Sequence, residues 1–194
     1  MKVIALTGGI AMGKSTIAKL FRRRAIPVFD ADREVHRLQA PGGAALPAIG
    51  AAFPGTVAEN RLDRAALRRA VLADPAALRR LEGILHPMVR GALRRFVARH
   101  RRARRRMVLL DIPLLFETGT PVRPDLILVV SAPAVLQRRR LARRGTLSAA
   151  QIGAILARQM PDAERRRRAD VVIPTGLSRR HAQARIARLL KELP

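Results

Sequence analysis

The sequence predicts an α/β fold in which a parallel β-sheet is flanked by helices. Short apolar segments alternate along the chain with segments of helical pattern, and this alternation is typical of a parallel sheet. The first apolar segment, residues 3–6, contains no polar residue, as expected for a strand that is buried on both faces. A glycine-rich loop follows it directly and leads into a helical pattern from Lys14 to about Arg24.

Four later segments are predicted as strands because each is short and apolar. They cover residues 26–29, 107–111, 126–130 and 171–173. Helices are predicted at 133–144, 148–160 and 181–193, and the second of these has Ser148 and Gln151 at capping-box spacing. These elements complete the predicted sheet and its flanking helices.

Residues 34–106 have a different pattern, with no convincing strand, and are predicted to form a helical insertion in the α/β core. Asp74-Pro75 indicates a helix start, with an N-cap followed by proline at the first helical position. Pro87, directly after His86, is interpreted as a second start.

The composition excludes several classes of protein. No cysteine is present, so neither a disulfide framework nor a thiolate metal site can form. The longest apolar run, 126–136, is interrupted by Ser131 and Pro133 and is too short to span a bilayer. The apolar N-terminus runs into the glycine-rich loop without a cleavage region, so a cytoplasmic protein with no membrane partner is predicted.

The formal net charge of +25 would attract nucleic acid or an anionic membrane. However, only four of the 39 basic residues are lysines, a bias that a genome rich in G and C would produce. With five phenylalanines and no other aromatic residue, the chain has little on which bases could stack. Nucleic acid is therefore not the expected main partner. Most arginines are expected to be exposed surface residues, and the others suit polyphosphate ligands.

The first loop carries the strongest chemical signal. Gly8-x-x-x-x-Gly13-Lys14-Ser15 matches the P-loop pattern at every fixed position, between a strand and a helix. In such a loop, successive backbone N–H groups converge on phosphate oxygens, the lysine reaches the β- and γ-phosphates, and the serine hydroxyl binds Mg²⁺. As a loop residue, Lys14 is expected to be exposed and to pack little. The loop therefore predicts a site for ATP and Mg²⁺.

Aspartates follow two of the predicted strands, at the edge of the sheet where ligands bind. Asp30 and Asp32 follow the second strand, and a carboxylate there could accept a proton from an acceptor hydroxyl. Asp32 precedes a helical pattern, so the alternative role of helix N-cap stays open. Asp111 ends the strand at 107–111 and could orient Mg²⁺, or it could be a cap or turn residue.

Several arginines share one predicted helix. Arg140 and Arg144 are four residues apart and lie on one face, which suits a lid that closes over a transferring phosphate. A solvated basic face is the alternative.

These motifs, in this order, resemble the dephospho-coenzyme A kinase family over nearly the whole chain. The matching segments are Leu6-Thr7-Gly8-Gly9-Ile10 with Gly13-Lys14-Ser15-Thr16, Asp30-Ala31-Asp32, Leu85-His86-Pro87, residues 111–117, Gln137-x-x-Arg140-Leu141-x-x-Arg144, Gln159 and residues 169–173. Segment 111–117 is the most specific of them. The chain departs from the family's pattern at Ala11-Met12, where glycine and serine are frequent, and at Thr175, where asparagine commonly precedes the glycine.

The resemblance implies a P-loop kinase fold in one domain, 1–194. Its core covers about 1–33, 107–135 and 161–194, the helical substrate-binding insertion about 34–106, and the lid about 136–160. The implied reaction moves the γ-phosphoryl group of ATP to the ribose 3′-hydroxyl of dephospho-coenzyme A, the last step of coenzyme A synthesis. A monomer or weak homo-oligomer is expected.

The residues implied in this reaction fall into four groups. The catalytic group comprises Lys14, Asp32 as the base, Asp111, Arg140 and Arg144. The nucleotide is contacted by Gly9, Ile10, Ala11, Met12, Gly13, Lys14, Ser15 and Thr16. The acceptor is contacted by Asp32, His86, Asp111 and Leu115, and Mg²⁺ by Ser15 and Asp111.

Two other functions share part of these features. A different P-loop small-molecule kinase, adenylate-like or shikimate-like, would have the same loop, lid and aspartates, but segment 111–117 argues against it. A nucleotide-regulated nucleic-acid-binding protein would use the basic charge directly and would bind polynucleotides with a steep salt dependence.

Overall fold

The computed structural model describes residues 1–143, 152, 153, 156 and 159–193. The chain divides into two compact units. The first comprises Met1–Phe29 and Arg99–Pro194, and the second comprises Asp30–Ala98.

A sheet of five strands forms the first unit's framework. The chain contains strands β1 (Lys2–Thr7), β2 (Val28–Asp30), β3 (Val57–Ala58), β4 (Arg61–Leu62), β5 (Met107–Asp111), β6 (Leu126–Ser131) and β7 (Val171–Pro174). The strand order of the large sheet is β2-β5-β1-β6-β7, which confirms the predicted α/β class. β1 pairs in parallel with both β5 and β6, and β6 pairs in parallel with β7. The central position of β1 explains its unbroken apolar sequence.

Helices make up most of the remaining secondary structure in the described residues. Their bounds are α1 (Lys14–Arg22), α2 (Ala31–Leu38), α3 (Leu46–Ala52), α4 (Arg64–Ala73), α5 (Pro75–Arg102), α6 (Leu115–Thr118), α7 (Ala134–Ala142), α8 (Asp162–Arg167) and α9 (Arg179–Glu192). In the first unit, Phe21 of α1 and Ile186 of α9 are fully buried in one core with Ile4 and Leu128 of the sheet. The predicted helices at α1, α7 and α9 are confirmed, and every terminus agrees within two residues. Most of the helix predicted at 148–160, with its Ser148–Gln151 capping box, lies outside the residues that the structure describes.

The second unit is mainly helical, with its own core around Leu38, Ile49, Phe53 and Leu85. The prediction that 34–106 contains no strand is wrong, because β3 and β4 form an antiparallel hairpin. Glu59 and Asn60 join the two strands, with φ of 48° and 58°. A two-residue hairpin turn of type I′ has positive φ at both positions. Strands of two residues are too short to give a period in the sequence.

Helix α5 begins as predicted and continues where it was expected to start again. Asp74 accepts hydrogen bonds from the backbone N–H groups of Ala76 and Ala77, so it is the N-cap before Pro75. Pro87, however, lies inside the 28-residue helix. Interpreting it as a helix start was wrong, because a helix of this length retains its other hydrogen bonds when one N–H is missing.

We expect Pro87→Ala to raise the free energy of unfolding, by up to about 3 kcal/mol, because it restores an N–H for the Gly83 carbonyl and removes the ring. Gly83→Ala is the matched control, since a Cβ there meets nothing within 4 Å. It should add about 1 kcal/mol by helix propensity alone. Urea unfolding measures both changes. A less stable Pro87→Ala variant would show that the proline supports the second unit's packing.

Candidate active site

The phosphate-binding loop joins the end of β1 to the start of α1. Gly13 is the N-cap of α1 and has φ 93°, a left-handed conformation that favours glycine. The backbone N–H groups of Ala11, Gly13, Lys14 and Ser15 have no acceptor among the residues that the structure describes. Unpaired donors at a helix N-terminus bind anions. The loop therefore presents a set of donors suited to phosphate oxygens.

Three predicted nucleotide contacts have their N–H groups occupied. The Met12 N–H donates to the Gly9 carbonyl at 3.1 Å. Ile10 donates to the Gln159 Oε1 at 3.0 Å. Thr16 donates to the Gly13 carbonyl at 3.0 Å, although its side chain is exposed. A contact between the nucleotide and these residues would use other atoms.

Lys14 is paired rather than exposed. Its Nζ lies 2.5 Å from the Asp111 Oδ1, and the side chains of the two residues are only 16% and 4% exposed. The sheet register produces this contact, because Leu6 pairs with Asp111 across β1 and β5. The expectation that Lys14 packs little was therefore wrong. A buried carboxylate and an ammonium group stand together at the carboxyl edge of the sheet.

The loop region fits a bound Mg²⁺. Ser15 is exposed in the first turn of α1, and Asp111 offers a carboxylate at the neighbouring strand end. Mg²⁺ prefers oxygen ligands and commonly takes one or two protein carboxylates with water and substrate phosphates. No group of three or more His, Cys, Asp or Glu side chains that could hold a metal occurs in the described part of the chain. Such a group is not needed for an ion that phosphates help to bind.

Arg140 lies against the loop. Its Nη1 donates to the Ala11 carbonyl at 3.2 Å, and its Nη2 donates to the Thr175 carbonyl at 2.7 Å. The planar fork of a guanidinium group suits two such acceptors. Arg144, its predicted companion, lies outside the described residues.

Thr175 also holds the loop, a role that no sequence motif indicated. Its Oγ1 contacts the Met12 carbonyl and lies 3.2 Å from the Ser131 carbonyl. Met12 itself accepts a hydrogen bond at Sδ from the Ala132 N–H. Gln137 and Gln159, which the sequence marked only as matching motifs, contact the loop as well.

Other predicted residues take different positions. Leu115 begins α6 and is 4% exposed, whereas its neighbour Leu114 is 41% exposed. Asp32 and His86 belong to the second unit, Asp32 exposed and His86 half-buried. The N-cap of α2 is Asp30, which accepts from the Arg33 N–H at 3.0 Å. Asp32 lies in the first turn of that helix, so the capping alternative for Asp32 is wrong.

A cleft of about 520 Å³ opens beside the loop in the first unit. Its wall is largely apolar and includes Met12, Pro133, Pro174 and Leu177. Ser131 and Asp162 lie in the same wall and are hydrogen-bonded to each other at 2.6 Å. An apolar cleft with a few polar groups, next to a phosphate loop, has the character of a small-molecule site.

Comparison with known proteins decides the family. The family model described as dephospho-CoA kinase matches residues 2–185. The chain belongs to the dephospho-CoA kinase family. A dephospho-CoA kinase of Gluconobacter oxydans is 53% identical over 197 residues, which cover 100% of this chain and 98% of that protein.

Solved structures agree with this membership. The crystal structure of TT1252 from Thermus thermophilus is 36% identical, with a TM-score of 0.83, and the match covers 100% of this chain and 98% of that one. Dephospho-CoA kinase from Campylobacter jejuni has a TM-score of 0.68 at 22% identity, over 99% and 97% of the two chains, and shows the shared fold. The comparisons favour the dephospho-CoA kinase family over the other two functions that the sequence left open. In the part of the chain that the structure describes, no helix is long and apolar enough to cross a membrane.

We expect Lys14→Ala in this family member to lower turnover by on the order of a hundredfold or more, as loss of a charge-stabilising donor does. It should also lower the free energy of unfolding by about 3 kcal/mol, because the buried Asp111 carboxylate then lacks the charge of Lys14. Adding Asp111→Asn removes the carboxylate charge, so the double variant should regain stability but not turnover. Urea unfolding and an ADP-release assay measure the two effects. Wild-type stability in Lys14→Ala would contradict the importance of the buried pair, and near-normal turnover would contradict the phosphate role.

Proposed function

We propose that this member of the dephospho-CoA kinase family transfers the γ-phosphoryl group of ATP to the ribose 3′-hydroxyl of dephospho-coenzyme A. The observation that carries the proposal is the loop with four unpaired N–H groups beside the Lys14–Asp111 pair. Phosphoryl transfer depends on positioning and charge neutralisation more than on covalent chemistry by the protein. The loop offers both.

Lys14 would bridge the nucleotide and the sheet edge. An ammonium group has three N–H donors, and Asp111 accepts one of them at 2.5 Å. The other two are available for β- and γ-phosphate oxygens. Asp111 fixes the lysine by this bond, so the cation is positioned before the nucleotide arrives.

Ser15 and Asp111 would hold Mg²⁺ with the phosphates. When bound, the ion supplies positive charge that neutralises the phosphate oxygens during transfer. The Ser15 hydroxyl is exposed at the N-terminus of α1, next to the unpaired N–H groups.

Asp32 is our proposed base for the acceptor hydroxyl. Its carboxylate is exposed, and it does not cap α2, because the N-cap of that helix is Asp30. A free carboxylate can accept a proton when the hydroxyl attacks phosphorus. His86 and Leu115 are proposed to contact dephospho-coenzyme A.

Arg140 would act through the loop it touches. Its bonds to the Ala11 and Thr175 carbonyls hold the loop against the segment after β7. Its charge also lies beside the phosphate site, where it would offset charge that develops on the leaving oxygen. Arg144 is proposed for the same task.

We place the enzyme in the cytoplasm, where ATP is available, as a monomer or weak homo-oligomer. Nucleic acid is not proposed as a partner.

A coupled assay with Mg-ATP tests the reaction against a panel of dephospho-coenzyme A, AMP, adenosine and shikimate. Dephospho-coenzyme A should give by far the highest kcat/KM, because remote parts of a large substrate supply binding energy that positions the reacting hydroxyl. Phosphorus NMR should find the new phosphate on the ribose 3′-oxygen. A higher kcat/KM with AMP or shikimate would reject dephospho-coenzyme A as the acceptor, although the protein would still be a kinase.

Asp32→Asn is expected to lower kcat strongly, on the order of a hundredfold, because the amide cannot accept the proton. Stability should change little, since Asp32 is exposed and is not a cap. Asp63→Asn is the control: Asp63 caps α4 in the same unit, and asparagine caps equally well. Steady-state kinetics and thermal melting compare the two. An active Asp32→Asn enzyme would assign the base elsewhere.

Arg140→Lys keeps the charge but cannot bond both carbonyls with one planar fork. We expect kcat/KM for ATP to fall by about tenfold or more, the effect of losing a charge-assisted hydrogen bond. Arg139→Lys, exposed on the same helix, should behave as wild type. Equal losses in the two variants would mean that only general electrostatics matter at this helix.

A further inference from the structure

The backbone of Ile10 is held on both sides by two glutamine side chains that are distant from it in the sequence. The Ile10 N–H donates to the Gln159 Oε1 at 3.0 Å, and the Gln137 Nε2 donates to the Ile10 carbonyl at 2.9 Å. Gln137 is 7% exposed, which is low for a polar side chain. The first bond orients the Gly9–Ile10 peptide and the second orients the Ile10–Ala11 peptide, because the N–H and the carbonyl of Ile10 belong to these two neighbouring peptide units.

A third side chain, that of Arg165 in α8, lies against Gly9, the residue before Ile10. A Cβ built on Gly9 would lie 2.8 Å from the Arg165 Nη1, 3.2 Å from the Gln137 Nε2 and 3.3 Å from the Gln159 Oε1. Three polar side chains therefore surround the Cα of Gly9. We call Gln137, Gln159 and Arg165 the cage.

Burial of Arg165 at this position is energetically unfavourable. It is 2% exposed, its Nη2 lies 3.4 Å from the Glu117 Oε1, and its Nε has no hydrogen-bond partner among the residues described. Glu117 also accepts from the Met160 N–H at 3.3 Å, so its carboxylate is shared. A buried ion pair with one long bond and an unsatisfied donor contributes little to stability. Because its side chain is a cationic guanidinium group, Arg165 holds a positive charge behind the loop.

We propose that the cage residues Gln137, Gln159 and Arg165 are positioning residues for ATP. The two glutamines fix the Gly9–Ile10 and Ile10–Ala11 peptides, so the unpaired N–H groups of the loop keep the orientation that phosphate oxygens require. Arg165 packs against Gly9 and adds its charge to the field at the loop. This inference rests on the proposed function only in taking the loop as the binding site for ATP phosphates.

The cage also explains why residue 9 is a glycine. The left-handed backbone that requires glycine at Gly13 does not occur at Gly9, so alanine is excluded there by the cage and not by its own conformation. The Arg165 head group is the closest obstacle. Although an arginine terminus is flexible in general, this one is buried and bonded to Glu117, so it cannot move aside freely.

A double-mutant cycle on Gly9→Ala and Arg165→Met tests the cage. The measurement is the Kd of Mg-ATP by calorimetry, without acceptor, with unfolding followed separately. Gly9→Ala should weaken ATP binding by roughly tenfold, because the loop must shift to clear the cage. Arg165→Met keeps the stem and removes the charge, and it should weaken binding by a similar factor.

The double variant decides the outcome. If the cage acts through Gly9, the combined loss is much smaller than the product of the two single losses, because the methyl group then has room. Losses that multiply would overturn the proposal. Arg167→Met, 77% exposed on the same helix, is the control and should bind ATP as wild type does. A loss equal to that of Arg165→Met would also overturn it.

Gln159→Leu gives an independent test should Arg165→Met fold poorly. Leucine removes the acceptor of the Ile10 N–H, so the Kd for ATP should rise several-fold while the KM for the acceptor stays the same. An unchanged Kd for ATP would reject the positioning role. A protein whose ATP affinity depends on the cage, but which does not phosphorylate dephospho-coenzyme A, would refute the proposed function and leave the cage intact.

Discussion

Pairing of β1 between β5 and β6 is the constraint on which the site depends. Because β1 is the central strand, its neighbours fix what lies at its carboxyl end: Leu6 is in register with Asp111 on one side, and Thr7 with Val129 on the other. The loop must leave this point and turn back as α1, and the left-handed Gly13 makes that turn. Lys14 then enters α1 within reach of Asp111. The charge pair is thus a consequence of strand order and register.

Around this pair the chain concentrates cations that have few carboxylates to balance them. Lys14 forms an ion pair with Asp111, and Arg165 forms one with Glu117. Among the contacts described, Arg140 donates only to carbonyl oxygens. Each is held by contacts with the loop or its supports, so little side-chain freedom is left to lose when an anion binds. Such preorganised charge is the main resource of an enzyme that transfers phosphoryl groups. The excess of arginine elsewhere on the chain does not share this property, because most of those side chains are exposed.

The sequence predicted what depends on local pattern and missed what depends on tertiary contact. All five strands of the large sheet were found, since buried strands leave continuous apolar runs, and the loop was found because its glycines and Lys14 have fixed spacing. The β3–β4 hairpin was missed because its strands are only two residues long. Pro87 was wrongly interpreted as a helix start, because a long helix tolerates the loss of one hydrogen bond. The roles of Thr175 and Arg165 could not be predicted. Thr175 contacts Met12, 163 residues away in the sequence, and Arg165 lies against Gly9 of the glycine-rich loop.

The departures from the family's pattern are connected in space. Ala11 stands where glycine is frequent, and it has φ 59°, a conformation that costs an L-residue roughly 1–2 kcal/mol. Its carbonyl accepts from Arg140, and its neighbour Met12 accepts from Ala132 at Sδ and from Thr175 at the carbonyl. Thr175 is itself the other departure. A hydroxyl in place of the frequent asparagine therefore bonds the very residue that replaces the frequent serine. Because residues that share a contact couple energetically, substitutions at these three positions are expected to be non-additive, and contacts from outside the loop hold its left-handed Ala11 in place.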